Sequence, residues 1–285
     1  MDSARNPVRA VSGITGHLRL VCGLDGRGVS SLREQSFRAP IHLSKPHWDE
    51  DTLVLNVMNP TAGLLQDDRI MQSATVRGGA RLLLTMPGAA RAHRVRSGWA
   101  EVTQDFTVER GGFLEVLPEV FIPQAGACYK QSTELRVETG GELFFFETIA
   151  PGRTASGEVF CYEWLQWATD LWVSGVHLAR ERLRLEPGTP ELEALRAQFP
   201  AGYYGTALAV SECFGDGADV VRALHDLQRD AAWVGASRLG ERGAVCVRVL
   251  AQDAPSLRAV QEAVRAILYA ALGRRVPGLR RVAGR

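Results

Sequence analysis

The chain repeats one hydrophobic pattern three times between residues 75 and 146. In each copy a β-prone segment leads to a Gly-Gly pair, and a mainly apolar segment follows. The pairs begin at Gly78, Gly111 and Gly140. Glycine pairs between β-prone segments are typical of tight hairpin turns, because glycine tolerates a positive φ. The recurrence, with no helical pattern between copies, predicts stacked β-hairpins that form a β-helix-like body. Three unrelated hairpins in a sandwich remain the alternative.

The segments on either side predict further strands and then two helices. Residues 16–57 have strand-like patterns, residues 172–185 predict a strand pair, and residues 244–250 predict one strand. Apolar residues at helical spacing predict one helix over residues 219–230 and a longer one over residues 253–272. The predicted fold class is therefore mainly β, with two α-helices in the C-terminal third, and α+β overall.

The chain shows no clear internal boundary, so we expect a single domain over residues 11–285. Its β body would occupy about residues 11–210, its mixed α/β part about residues 211–273, and its tail residues 274–285. Residues 1–10 carry charges that no apolar segment follows, which favours a disordered lead-in over a signal peptide.

Composition narrows the class of function. Hydrophobic residues make up 46% and charged residues 23% of the chain, as in ordinary soluble globular proteins. The net charge of +1 gives no reason to expect binding to nucleic acid or to an anionic membrane. The five cysteines are widely spread and include no C-x-x-C pair, which favours reduced thiols over disulfides or a zinc site. We therefore expect a cytoplasmic protein.

The candidate chemistry lies in carboxylates that interrupt apolar strand segments. They are Asp68, Glu115, Glu147 and Glu181. A charge in a buried strand must be paired, be solvated by an internal channel, or face outward. Both faces of the strand around Glu147 are apolar, so an outward position alone does not explain this residue. An ion pair with an arginine such as Arg94 or Arg153 and the acidic wall of a water-filled passage or docking surface both remain open.

Two functions from different classes follow from these carboxylates. Nucleophile-elbow, Walker and dinucleotide motifs are missing from the sequence, and its six histidines form no metal-ligand spacing. One interpretation is a scaffold without chemistry of its own, whose carboxylates pass a divalent cation along without holding it tightly. The alternative is a hydrolase or isomerase on a β-solenoid, with Glu115 and Glu147 as acid and base.

Several ordered motifs between residues 59 and 185 resemble those of one protein family. They are Asn59-Pro-Thr-Ala-Gly-Leu-Leu-Gln-Asp-Asp, Leu82-Leu-Leu-Thr-Met-Pro-Gly-Ala-Ala-Arg with Arg94, Leu114-Glu-Val-Leu-Pro-Glu, Gly152-Arg-Thr-Ala-Ser-Gly-Glu-Val-Phe and Glu181-Arg-Leu. Together they are similar to motifs of the UreD (UreH) family of urease accessory proteins. The chain departs from the family pattern at Gln66-Asp67, where a glycine pair is usual, and at Ala90-Arg91, where Ser/Thr-Lys is common.

The resemblance implies a non-enzymatic urease maturation factor that assists nickel delivery. Its partners would be UreF, UreG through UreF, and the urease apoprotein, and the UreD–UreF–UreG complex would form a dimer. Nickel would be bound only transiently, with no stable metal site or cofactor. By motif position, the passage would be lined by Asp68, Glu147 and Glu181. Pairs that stabilise the fold would involve Arg94, Glu115, Arg153 and Glu158. Contact with UreF would involve the last helix and the chain end, at Leu257, Val260, Val264, Arg274 and Arg275.

Overall fold

The computed structural model describes residues 13–200, 202–241 and 243–279. The predicted lead-in, residues 1–10, and the end of the predicted tail, residues 280–285, lie outside these ranges. The strands are β1 (Thr15–Leu24), β2 (Ser30–Arg38), β3 (His42–Leu43), β4 (His47–Asp49), β5 (Thr52–Met58), β6 (Arg69–Val76), β7 (Arg81–Met86), β8 (Arg91–Ala92), β9 (Ala100–Val108), β10 (Phe113–Pro118), β11 (Ile122–Pro123), β12 (Cys128–Val137), β13 (Glu142–Ile149), β14 (Trp164–Val173), β15 (Val176–Leu185), β16 (Tyr203–Val210), β17 (Ala232–Arg238) and β18 (Ala244–Ala251). The α-helices are α1 (Pro190–Gln198), α2 (Ala218–His225) and α3 (Ala254–Ala271).

Most strands belong to two large sheets. The first sheet has the order β15-β14-β12-β9-β6-β1-β2, and the second has the order β17-β18-β16-β13-β10-β7-β5-β3, with β4 also paired to β5. The central strands of both sheets run parallel to their neighbours, because successive copies of the repeat add one strand to each sheet. Strands β8 and β11 form a separate small pair. The predicted fold, mainly β with a stacked, β-helix-like body, is confirmed.

The Gly-Gly pairs connect the two sheets. The strands before the pairs, β6, β9 and β12, lie in the first sheet, and the strands after them, β7, β10 and β13, lie in the second. Gly79, Gly111 and Gly140 adopt the expected positive φ, at 77°, 74° and 75°. The prediction that each pair closes a hairpin was wrong, because the strands it joins hydrogen-bond to the neighbouring repeats and not to each other. A glycine turn specifies the change of direction, but not the partner of the strand that follows.

Two hydrophobic cores result from this arrangement. The first lies between the sheets and includes Leu82 and Phe145, and the second lies between the outer face of the second sheet and helices α2 and α3. Phe144 and Phe146 belong to the second core, because successive residues of a strand point to opposite faces.

The two predicted helices are confirmed as α2 and α3, although α2 ends at His225, five residues before the predicted end at residue 230. The predicted strand over residues 244–250 is β18. Helix α3 begins after Asp253, whose carboxylate accepts a hydrogen bond of 2.7 Å from the backbone N–H of Ser256. The sequence analysis missed the short helix α1, which follows Thr189 and has proline in its first turn. In the part of the chain that the structure describes, no helix combines the length and apolar character needed to cross a membrane.

Candidate functional site: a polar row between the sheets

A row of polar residues crosses the inner face of the first sheet. Its members occupy aligned positions on five adjacent strands: Gln72, Gln104, Thr133, Thr169 and Glu181. Their neighbours two positions away along each strand are mostly core residues, so strand alternation points the row into the first core. The first four are 3–8% exposed, which is unusual for polar side chains unless they are hydrogen-bonded.

Hydrogen bonds connect the glutamines of the row with one more glutamine on β12. The Gln104 amide Nε2 donates to Oε1 of Gln72 at 3.0 Å, and Gln131 Nε2 lies 3.2 Å from Oε1 of Gln104. The Tyr129 hydroxyl donates to Oε1 of Gln131 at 2.7 Å, and the Thr133 hydroxyl donates to Oε1 of Gln104 at 2.9 Å. The interior therefore holds a continuous chain of uncharged donors and acceptors.

Glu147 projects into this chain from the second sheet. Its carboxylate accepts hydrogen bonds from Gln131 Nε2, from the Trp167 indole Nε1 at 3.1 Å and from the Thr169 hydroxyl at 3.4 Å. All three donors are uncharged, and the residue is only 7% exposed. Burial, assisted by the negative charge of nearby Glu181, raises the pKa of Glu147 to about 8. At neutral pH this carboxyl therefore carries a proton much of the time.

Glu181 continues the row toward the surface. Its carboxylate accepts hydrogen bonds from the Tyr204 hydroxyl at 2.7 Å and from Arg248 Nε at 3.2 Å, and the Thr206 hydroxyl lies 3.4 Å away. The Glu181 side chain is 15% exposed, whereas the Arg248 side chain is 60% exposed. The row thus ends at an ion pair that water reaches from one side.

A cavity of about 530 Å³ opens beside the row. The polar side chains of its inner wall are Gln72, Gln104, Gln131 and Glu147, and aromatic rings of Phe121, Tyr129 and Trp167 form much of the remainder. The cavity reaches the surface along residues 58–62 and 87–91, which are mainly exposed. The structure therefore brings Glu147 to the inner end of an accessible space, with Glu181 beyond it.

Asp68 lies apart from Glu147 and Glu181. Its carboxylate oxygens accept backbone hydrogen bonds from Ile14 and from Leu65, both at 2.8 Å, and the residue is 3% exposed. These bonds connect the segment before β1 to the loop before β6. The carboxylate is therefore engaged in holding two backbone segments together, outside the lining of the cavity.

Glu115 lies on the opposite face of the second sheet from Glu147. It is aligned with Phe144 on the neighbouring strand, and both face the helices. Its buried carboxylate binds the Arg265 guanidinium, with one contact of 2.8 Å, and accepts a hydrogen bond of 2.6 Å from the Tyr269 hydroxyl. Glu115 and Glu147 cannot converge on one substrate, so the structure contradicts the alternative in which they act as acid and base.

The two arginines considered as partners of Glu147, Arg94 and Arg153, interact with Glu158 instead. Arg153 binds Glu158, with a Nε–Oε2 distance of 2.8 Å, and the Ala125 backbone N–H donates to the same carboxylate at 3.1 Å. The hydrogen bond from Arg153, the bond from Ala125 and the charge of Arg94 lower the pKa of Glu158 to about 2. Neither arginine compensates Glu147, whose donors are uncharged.

The residues assigned by resemblance to UreF contact are engaged within the chain itself. Leu257, Val260 and Val264 are 4%, 1% and 2% exposed and pack in the second core, which argues against direct contact with another protein. Arg274 lies 2.6 Å from a carboxylate oxygen of Glu142. Arg275 binds two acidic residues, Asp49 at the end of β4 and Glu50 in the turn that follows.

Sequence reasoning missed the glutamines and Arg248. A usable signal existed for the glutamines, because Gln72, Gln104 and Gln131 each interrupt the strand before a Gly-Gly pair. For Arg248 we find no comparable signal, because its partner lies on a strand 67 residues earlier. Among the described residues, no group of three or more His, Cys, Asp or Glu is arranged to hold a metal ion.

Comparison with known proteins identifies the family. The family model described as UreD urease accessory protein matches residues 15–283. Urease accessory protein UreD of Opitutus terrae is 40% identical over 91% of this chain and 96% of its own length. The UreD proteins of Mycolicibacterium gilvum and Acetivibrio thermocellus are 34% and 27% identical, over 80% and 85% of this chain and 83% and 93% of their own lengths. The match over nearly the whole chain shows that this protein belongs to the UreD family of urease accessory proteins.

Proposed function

We propose that this protein assists urease maturation by letting nickel pass through its interior along the polar row. Its relatives are named urease accessory proteins, which supports a role in urease maturation. The route begins at the cavity mouth, follows the glutamines to Glu147, and continues to Glu181. As the family resemblance implies, the protein would act in the cytoplasm in a complex with UreF, with UreG bound through UreF, docked on the urease apoprotein.

The observation that carries this proposal is the position of Glu147 at the inner end of an open cavity, with only uncharged donors around it. Carboxylate, amide and hydroxyl oxygens are ligands for hard and borderline divalent cations, and they bind such ions less tightly than a cluster of histidines or thiolates. A buried carboxyl without a resident cation gains a favourable partner when a divalent ion arrives. The cavity wall around Glu147 would therefore bind nickel weakly and release it again.

The residues of the passage are therefore Glu147 and Glu181, with Asp68 in a supporting position at the loop before β6. UreF would bind the outward face of α3 and the chain end beyond it. Packing of Leu257, Val260 and Val264 in the second core would hold that face in place. Arg274 and Arg275 would hold the chain end against the body of the protein.

Nickel-dependent activation of apo-urease by the purified complex tests the proposal. Glu147→Gln and Glu181→Gln remove a carboxyl that can ionise and bind a cation but keep the size of the side chain, so we expect both to slow activation while the complex still assembles. Glu134→Gln is the matched control, because Glu134 lies on the same sheet as Glu181 but is 41% exposed and pairs with Arg136. Normal activation by both passage variants would remove the nickel route and leave only a scaffold role.

A further inference from the structure

The cavity gives access to the polar row at one end, whereas the ion pair between Glu181 and Arg248 closes the other end. The cavity reaches Glu147 and Trp167, and the Thr169 hydroxyl donates to Glu147. Beyond it, Glu181 is aligned with Thr169 on the next strand and lies 3.4 Å from the Thr206 hydroxyl. The final contact before solvent is the ion pair between Glu181 and Arg248. A cation that reached Glu181 would therefore meet a positive charge already bound to that carboxylate.

Arg248 has room to move away from Glu181. It lies on β18, between Thr206 of β16 and Gly235 of β17. An added Cβ at Gly235 would meet nothing within 4 Å, so the surface beside the guanidinium is open. The Arg248 side chain is already 60% exposed, and water can solvate the charge when the ion pair breaks.

The other partners of Glu181 can stay in place when the arginine leaves. The hydroxyls of Tyr204 and Thr206 are uncharged and belong to side chains fixed on β16, a strand within the second sheet. They orient the carboxylate without competing for its charge. Arg248 is therefore the partner whose departure changes the attraction of Glu181 for a cation.

We propose that Arg248 gates the outer end of the row as a tethered counter-ion of Glu181. It occupies the carboxylate when no divalent cation is present, swings into solvent when one arrives, and returns to displace it. This inference rests on the proposed nickel route. Its chemistry is exchange of one cation for another at a carboxylate, so no bond is made or broken and no further reactant is needed.

Nickel binding to the full-length chain, measured by calorimetric titration with Ni²⁺ alone, tests the gate. We expect Arg248→Gln to tighten binding by about tenfold or more, because one adjacent positive charge shifts a carboxylate equilibrium by about one to three powers of ten. Arg248→Lys retains the charge and should bind nickel like the unmodified protein. Arg248→Gln combined with Glu181→Gln should lose the gain. Arg238→Gln is the matched control, since Arg238 is 54% exposed and lies on the neighbouring strand.

The outcomes separate the gate from the route. Unchanged affinity in Arg248→Gln, with activation still slowed by Glu147→Gln, would overturn the gate and keep the route. Tighter binding in Arg248→Gln that survives removal of the Glu181 carboxyl would also overturn the gate, because the gain would then arise elsewhere. Tighter binding that depends on Glu181 supports the gate even if urease activation proves insensitive to Glu147.

Discussion

Replacing Glu147 by glutamine changes how the stability of the protein depends on pH. The folded-state pKa of this carboxyl is raised from its ordinary value of 4.5 to about 8, so the folded protein holds a proton that the unfolded chain releases. The stabilising contribution of that proton is complete below the unfolded pKa and is lost as the pH rises through the folded one. Glutamine keeps a neutral side chain at every pH, and therefore removes this loss.

The size of the effect follows from the pKa shift. Each pKa unit of difference corresponds to about 1.4 kcal/mol. Between about pH 5 and about pH 8, the free energy of unfolding of the wild-type protein should therefore fall by about 3–4 kcal/mol relative to that of the glutamine variant. Other groups also titrate in this range, but both proteins share them. The difference between the two proteins therefore isolates Glu147.

Urea unfolding at several pH values between these limits measures the difference directly. Glutamine will also change local hydrogen bonds, but that effect is a constant offset across the pH range. Glu134→Gln, at an exposed carboxylate of the first sheet, provides the control for the glutamine replacement itself. A difference for Glu147→Gln that does not change with pH would refute the reasoning, because it would show that this carboxyl ionises as freely in the folded protein as in the unfolded chain.

Three further predictions concern the frame that holds the polar row. Arg265→Met leaves the carboxylate of Glu115 buried without its cation and should reduce the free energy of unfolding by about 3–5 kcal/mol; a loss well under about 1 kcal/mol in urea unfolding would contradict the assigned pair. Gly140→Ala places a side chain at a φ of 75° and should destabilise by about 1–2 kcal/mol, whereas Gly26→Ala, with open space around it, should change little; equal midpoints of thermal unfolding for the two would count against the strain. Leu257→Ala opens a hole in the second core and should cost about 2–5 kcal/mol; a variant of normal stability that fails only in partner binding would show that this side chain faces another protein.

Local patterns in the sequence predicted the elements better than they predicted which elements meet. The Gly-Gly pairs and the apolar stripe of α3 both depend on residues within a few positions of one another. The pairing of each repeat with the next repeat, in place of a hairpin, depends on contacts between distant strands. A turn signal carries no information about them.

The same limit applies to the site. The family motifs indicated Glu147 and Glu181, and the structure places both beside Thr169, which donates to Glu147 and is aligned with Glu181 on the neighbouring strand. The partner of Glu115 is Arg265, 150 residues later in the chain, and no local pattern connects the two. Asp68 is a buried acidic residue like Glu147, yet its partners are backbone N–H groups. Burial alone therefore did not distinguish a carboxylate that holds the backbone from one that faces a cavity.

The polar row crosses strands instead of following one, and this sets its length in fixed steps. Adjacent strands lie about 4.8 Å apart, so the span from β6 through β9, β12 and β14 to β15 is about 19 Å. Gaining or losing one repeat would move the two ends of the row by a whole strand spacing. A shift of one residue in any strand would turn the polar member of that strand to the outer face of the sheet. Under the proposed route, the number of repeats therefore fixes the distance between the surface where nickel enters and the surface where it leaves.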